Sequence, residues 1–188
     1  MAVAFEFGLG ILGWLIGWLA GVPLLEQFSS NLFDGLLGIA AAIPLFGIFL
    51  ILVRSSAPAL NGLRRSVREV IQPMFRGCGL IELAFVSVAA GVGEETLFRG
   101  ALQAATGRWL GPIAALLLTS ASFGLLHPLS KMYVLIAFGF GLYLGVCWLA
   151  SGSLLVVVVA HALYDFLALA YLVRTRLSDG SLPEESVN

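Results

Sequence analysis

Residues 79–101 read GLIELAFVSVAAGVGEETLFRGA, and within them Glu94, Glu95 and Arg99 place two carboxylates and a guanidinium in a run otherwise apolar enough to cross a bilayer. Ionisable groups at such a depth are expensive in hydrocarbon and persist where they face a protein interior or a wet cavity. The chain's only two histidines lie in similar surroundings, Phe123-Gly124-Leu125-Leu126-His127 and His161-Ala162-Leu163-Tyr164-Asp165. Three polar clusters on three apolar segments predict one assembled site inside a membrane bundle.

The composition agrees. Of 188 residues, 60% are hydrophobic and 11% charged, too little charge to clothe a soluble domain. Ten Lys+Arg against eleven Asp+Glu give a net charge of -1, which argues against a nucleic-acid partner. Cys78 and Cys147 have no metal-type spacing and read as reduced thiols. No positive charge precedes the first apolar run, so that segment reads as a retained helix and not as a cleaved signal.

Six apolar stretches approach the roughly 20 residues a helical span requires: 5–25, 35–53, 79–101, 112–127, 132–150 and 153–173. The expected fold is therefore all-α, a polytopic transmembrane helix bundle of about six spans forming a single membrane domain over 1–188. Between the second and third spans, the basic loop at 54–78 holds Arg54, Arg64, Arg65, Arg68 and Arg76 against a single Glu69. Leu60, Leu63, Val67, Val70, Ile71, Met74 and Phe75 recur there at helical spacing opposite the arginines, which predicts an amphipathic helix at the bilayer interface, facing anionic headgroups. The positive-inside rule makes this loop cytoplasmic. Alternation then puts Lys131, Arg174, Arg176 and both termini inside, and Arg108, Glu26 and Asp34 outside. The chain is thus expected to be a multi-pass protein of a bacterial-type plasma membrane, with a short, polar, disordered tail at 178–188. Gly13, Gly17 and Gly21, and again Gly141 and Gly145, fall four apart and predict close helix contacts within the bundle.

Glu95 and Arg99 share a helix face in the orientation that favours an ion pair. Glu94 points about 100° away, beside that pair in a poorly solvated place, a setting in which a carboxylate can serve as general base and acid. The plainer alternative is a structural buried network of the three. His161 and Asp165 also share a face, and the acid can orient the imidazole, join it as a metal ligand or stabilise its cation. Phe123 precedes His127 by four, so its ring is expected against the imidazole, with Pro128 ending or kinking the helix.

In this order and spacing, Glu94-Glu95-x-x-x-Arg99, Phe123-x-x-x-His127 and His161-x-x-x-Asp165 resemble the CAAX protease and bacteriocin-processing family, also called Abi. Its members are intramembrane endopeptidases and include type II CAAX prenyl proteases. The resemblance covers roughly 80–173, the expected catalytic core. It implies that Glu94 activates water with His127, that His161 and Asp165 steady the oxyanion, and that the Glu95–Arg99 pair holds the site together. It also implies a peptide or protein substrate, prenylated or otherwise membrane-associated. Prenyl-protease members often carry Asn where this chain has Asp165, and an ionised Asp cannot donate a hydrogen bond. Asp165 must then be protonated, orient His161 or bind a cation. The family has been described both as metalloproteases and as metal-free glutamate proteases. His127, His161, Asp165 and Glu94 could supply a zinc set with one open position, but there is no His-Glu-x-x-His motif. The cofactor is thus a divalent metal or none.

Two other readings compete. His127 and His161 could be axial ligands of a b-type haem, and the acids could serve a proton relay or a non-catalytic binding or immunity protein. Depth arithmetic also strains the picture. At 1.5 Å per residue, Glu94 lies about 21 Å into its span and His161 about 12 Å from the opposite side, whereas His127 falls at a helix end about 15 Å away. Helix tilt, an early start to the fourth span, or an interruption near Gly91, Gly93 or Pro128 would reconcile them.

Overall fold

The computed structural model describes residues 2–28 and 31–175, and every regular element among them is helical. The expectations for Arg176 and for the tail at 178–188 fall outside the described residues. Helix α1 is Ala2–Leu19 and α2 is Leu32–Arg54. Helix α3 spans 61–74, with π winding over Val67–Ile71. Helix α4 spans 80–110, with Leu80–Glu95 passing through a π-wound stretch, Thr96–Gln103, into Ala104–Leu110. Helices α5 (Pro112–Leu125), α6 (Lys131–Ser151) and α7 (Leu154–Arg174) complete the bundle.

Local chemistry sets the helix ends. Asn31 accepts the Phe33 N–H and Ser130 accepts the Tyr133 N–H, so each caps the helix that follows. Pro112 opens α5, where its missing N–H costs nothing. Gly152 closes α6 at φ 67°, a left-handed conformation open to glycine.

Helix α7 packs between α2 and α4, α1 lies along α4, and α5 pairs with α6. Leu45, Leu144, Leu154 and Val157 tie α2, α6 and α7 into one apolar core. Close approach depends on small residues. A Cβ on Gly91 would stand 2.9 Å from the Val158 carbonyl of α7, and one on Gly93 would collide with the Glu6 carbonyl of α1. These two glycines let α7 and α1 close on the turns just ahead of Glu94. Gly13 packs against the Leu97 backbone, Gly17 against Leu24 and Gly141 against Ser120, as intrabundle packing requires. Gly21 differs: it sits in the turn after α1 at φ 65°, with open space where a Cβ would be.

The polarity of the molecule runs opposite to that of a soluble protein. Ile81 (85% exposed) and Trp109 (88%) stand outward, while Arg99 (1%) and Glu95 (0%) are enclosed. Among the described residues, α2, α6 and α7 are long and apolar enough to cross a membrane. Helices α1 and α5 are apolar but shorter, and α4 carries Glu82, Glu94, Glu95 and Arg99. The protein is an integral membrane protein built as an all-α bundle.

Two boundaries differ from the sequence reading. Helix α4 does not stop near 101 but continues to Leu110, and only Gly111, at φ 79°, separates it from α5. The exposed Arg108 ties this extension to the end of α1, donating to the carbonyls of Ala20 and Gly21 at 3.0 and 3.2 Å. In α3 and the turn before it, Leu60, Leu63 and Val67 turn inward against Val53 and Leu172, whereas Val70 and Met74 remain exposed. The apolar face of this basic segment therefore rests on the bundle. Gln72 fastens it there, donating to the carbonyls of Leu172 and Thr175 at 2.9 Å each.

Candidate active site

The three polar clusters meet. Arg99 Nη1 donates to Glu95 Oε1 at 2.9 Å, and Nη2 donates to the Gly141 carbonyl of α6, also at 2.9 Å. The same Glu95 oxygen lies 2.7 Å from His161 Nδ1, so one carboxylate joins α4 to α7. His161 Nε2 is 3.6 Å from Asp165 Oδ2. His127 Nδ1 lies 2.7 Å from the Phe123 carbonyl and must donate to it, which in the neutral ring leaves Nε2 as an acceptor. That Nε2 faces Glu94 Oε1 at 3.9 Å.

The expected contact between Phe123 and His127 is present, with ring centroids 4.7 Å apart. Phe123 does more than back one histidine. Its ring lies 6.1 Å from His161 and receives the Arg99 guanidinium over its face at 4.8 Å, a cation–π contact in a dry setting. The π winding that begins at Thr96 accompanies this arrangement. Such widened turns recur at functional sites because they re-aim side chains within a continuous helix.

Glu94, His127, His161 and Asp165 line one cavity of about 280 Å³, together with Glu6, Tyr133 and Tyr164. The apolar faces of α2, α3 and α6 form much of the remaining wall. Glu94 is buried, and its Oε2 has no hydrogen-bond partner. The depth conflict disappears because α4 runs on to Leu110 before α5 starts at Pro112, which brings His127, just past the end of α5, level with Glu94.

The donors do not fit the zinc set considered from the sequence. Among the described residues no group of three His, Cys, Asp or Glu side chains could hold a metal ion. The four candidates divide into two pairs, Glu94–His127 and His161–Asp165, and do not converge as a single ligand set. The imidazoles also face carboxylates, with Phe123 packed against both, which does not suit a haem between them. Cys78 and Cys147 are free thiols.

The family model described as type II CAAX prenyl endopeptidase Rce1-like matches residues 76–167. Over these residues the chain is similar to the CAAX protease family whose motifs it carries. All six candidate positions, from Glu94 to Asp165, fall inside the Rce1-like segment. No curated protein and no solved structure matches the chain.

Glu6 lies outside the Rce1-like segment and was missed by motif reading. A signal for it existed: it is the only charged residue in the first 25, and the reasoning that singles out Glu94 applies equally to it. Its carboxylate lines the cavity, and its Oε2 is buried without a partner. The Gly141 carbonyl that holds Arg99 had no signal, because a backbone acceptor leaves no trace in side-chain identity.

Proposed function

We propose that the chain is an intramembrane endopeptidase in which Glu94 and His127 together activate a water molecule for attack on a peptide carbonyl. The observation carrying this reading is the 3.9 Å approach of Glu94 Oε1 to His127 Nε2 at the wall of the cavity shared with His161 and Asp165. A water beside that gap can reach both acceptors at ordinary hydrogen-bond length. Glu94 takes the proton as general base and returns it to the leaving amine as general acid. With both ring nitrogens protonated, His161 donates Nδ1–H to Glu95 and Nε2–H to the developing oxyanion, and the 3.6 Å neighbour Asp165 supports the reading in which the acid orients that ring. Glu95 and Arg99 act behind them, as positioning residues that fix His161. No step passes through a metal.

In this reading residues 80–173 form the catalytic core of a single multi-pass membrane domain, in a bacterial-type plasma membrane. Residues 54–78 are a basic segment at the cytoplasmic interface, and both termini are cytoplasmic. The substrate is a peptide or protein segment reaching the cavity from the bilayer, and a prenylated chain is one candidate.

Proteolysis by the full chain in nanodiscs, against prenylated and unprenylated peptides with and without chelator, tests the proposal. Cleavage is expected to persist in chelator. Glu94→Gln is expected to lower kcat by about 10²–10⁴-fold while thermal stability and peptide binding are retained. Unchanged turnover in that variant would remove Glu94 as the base. A non-catalytic binding protein would cleave none of the peptides.

A further inference from the structure

The charge of the cavity discriminates among ligands in a way the six motif residues do not. Glu6 enters it from α1, Glu94 from α4 and Asp165 from α7, and among the described residues lining it there is no lysine or arginine. Arg99 is enclosed behind this wall and already committed to Glu95 and Gly141. Around the cavity, Glu6, Glu94, Glu95 and Asp165 thus stand against one guanidinium and two imidazoles. With the four carboxylates ionised, the cluster carries no positive excess even if both rings are charged.

Glu94 adds a second, independent observation. It is 7% exposed, lines the cavity, and its Oε2 lacks any hydrogen-bond partner. A buried acceptor of this kind calls for a donor from whatever enters. Glu6 Oε2 is in the same condition. Away from these acids the wall is apolar, formed by side chains such as Phe49, Val53, Val67, Ile71, Phe140 and Leu172. The complement of such a chamber is an apolar body carrying a cationic, donor-rich group at one end. A carboxylate in that position would meet like charge in poorly solvated surroundings and forfeit its water without compensation.

We propose that Glu6 is a specificity-determining residue: the cavity takes an apolar peptide segment bearing a basic side chain or free amino group, with Glu6 as its counter-charge, and rejects one bearing a carboxylate there. The peptide nature of the ligand rests on the peptidase reading; the charge selectivity rests on the cavity alone.

The test uses the full chain in nanodiscs of zwitterionic lipid and three peptides, acetylated and amidated at their ends. They are identical except for lysine, norleucine or glutamate beside an apolar pair. Binding is read by thermophoresis and cleavage by mass spectrometry. The lysine peptide is expected to bind at least about tenfold tighter than the glutamate peptide, with norleucine between them. Glu6→Gln is expected to compress that ratio toward one, and Glu6→Asp to restore much of it. Equal affinities, a glutamate preference, no binding of any peptide, or an unchanged ratio in both Glu6→Gln and Glu6→Ala overturns the inference. The three-peptide comparison on the unaltered chain decides the charge selectivity even if the Glu6 variants fail to fold. Selective binding without cleavage would sink the peptidase reading and leave the charge selectivity standing. Cleavage without charge preference would do the reverse.

Discussion

Arg99 shows how one side chain can organise a site without entering it. Its two terminal nitrogens are divided between Glu95 on its own helix and the Gly141 carbonyl on α6, and Phe123 covers its face. Replacing it by alanine strands the Glu95 carboxylate, which is fully enclosed, and leaves it to His161 alone. Arg99→Ala is therefore expected to destabilise the bundle by about 3–5 kcal/mol, read as a lowered midpoint in thermal unfolding in detergent. At this scale the sequence was most legible. Charges in apolar surroundings announce themselves, and the i, i+4 spacing of Glu95 with Arg99 and of His161 with Asp165 gave partners that the structure contains. The join between Glu95 and His161 was not legible, because it spans 66 residues and depends on how α4 and α7 pack.

At the scale of elements, α4 is the axis on which the site is assembled. Gly91 and Gly93 admit α7 and α1, Glu94 and Glu95 follow at once, and the π-wound stretch then carries Arg99. Gly93→Ala is expected to cost about 1–3 kcal/mol, because the Glu6 carbonyl it meets is backbone and can yield only if α1 shifts. Gly8→Ala supplies the contrast. Nothing lies within 4 Å of the added methyl there, and a helical glycine replaced by alanine gains about 0.5–1 kcal/mol. Paired thermal melts in detergent distinguish the two, and equal effects would mean that α1 is not seated on α4. Helix identity was readable from apolar run length. The π winding and the extension to Leu110 were not, since Thr96–Leu110 mixes polar and apolar residues in a way that suits a loop as well as a buried helix.

For the whole molecule, the notable relation is between α3 and the chamber beneath it. The basic segment presents Leu63, Val67 and Ile71 to the cavity, and Gln72 pins it to the end of α7. Its outer face carries exposed Arg65, paired with Glu69 at 3.0 Å. Gln72→Ala removes two hydrogen bonds to backbone carbonyls and is expected to loosen this cover by about 1–3 kcal/mol. The readout is tryptic cleavage after Arg64, Arg65 and Arg68 in detergent, which should accelerate while the apolar helices stay intact. An unchanged rate would mean that packing alone holds α3 in place. Amphipathic spacing had pointed to the bilayer surface for this segment. Spacing reports that a helix has an apolar face but not what that face covers, and here Leu60, Leu63 and Val67 cover the bundle.

The seating of the Glu6 carbonyl on Gly93 has a consequence for where this protein can be divided. A fragment trimmed to the portion the family pattern recognises would keep all six motif side chains yet lose a neighbour that closes off the turn before Glu94. Signature and packed bundle do not coincide here, and the amino-terminal helix lies against the candidate site despite carrying none of the diagnostic letters.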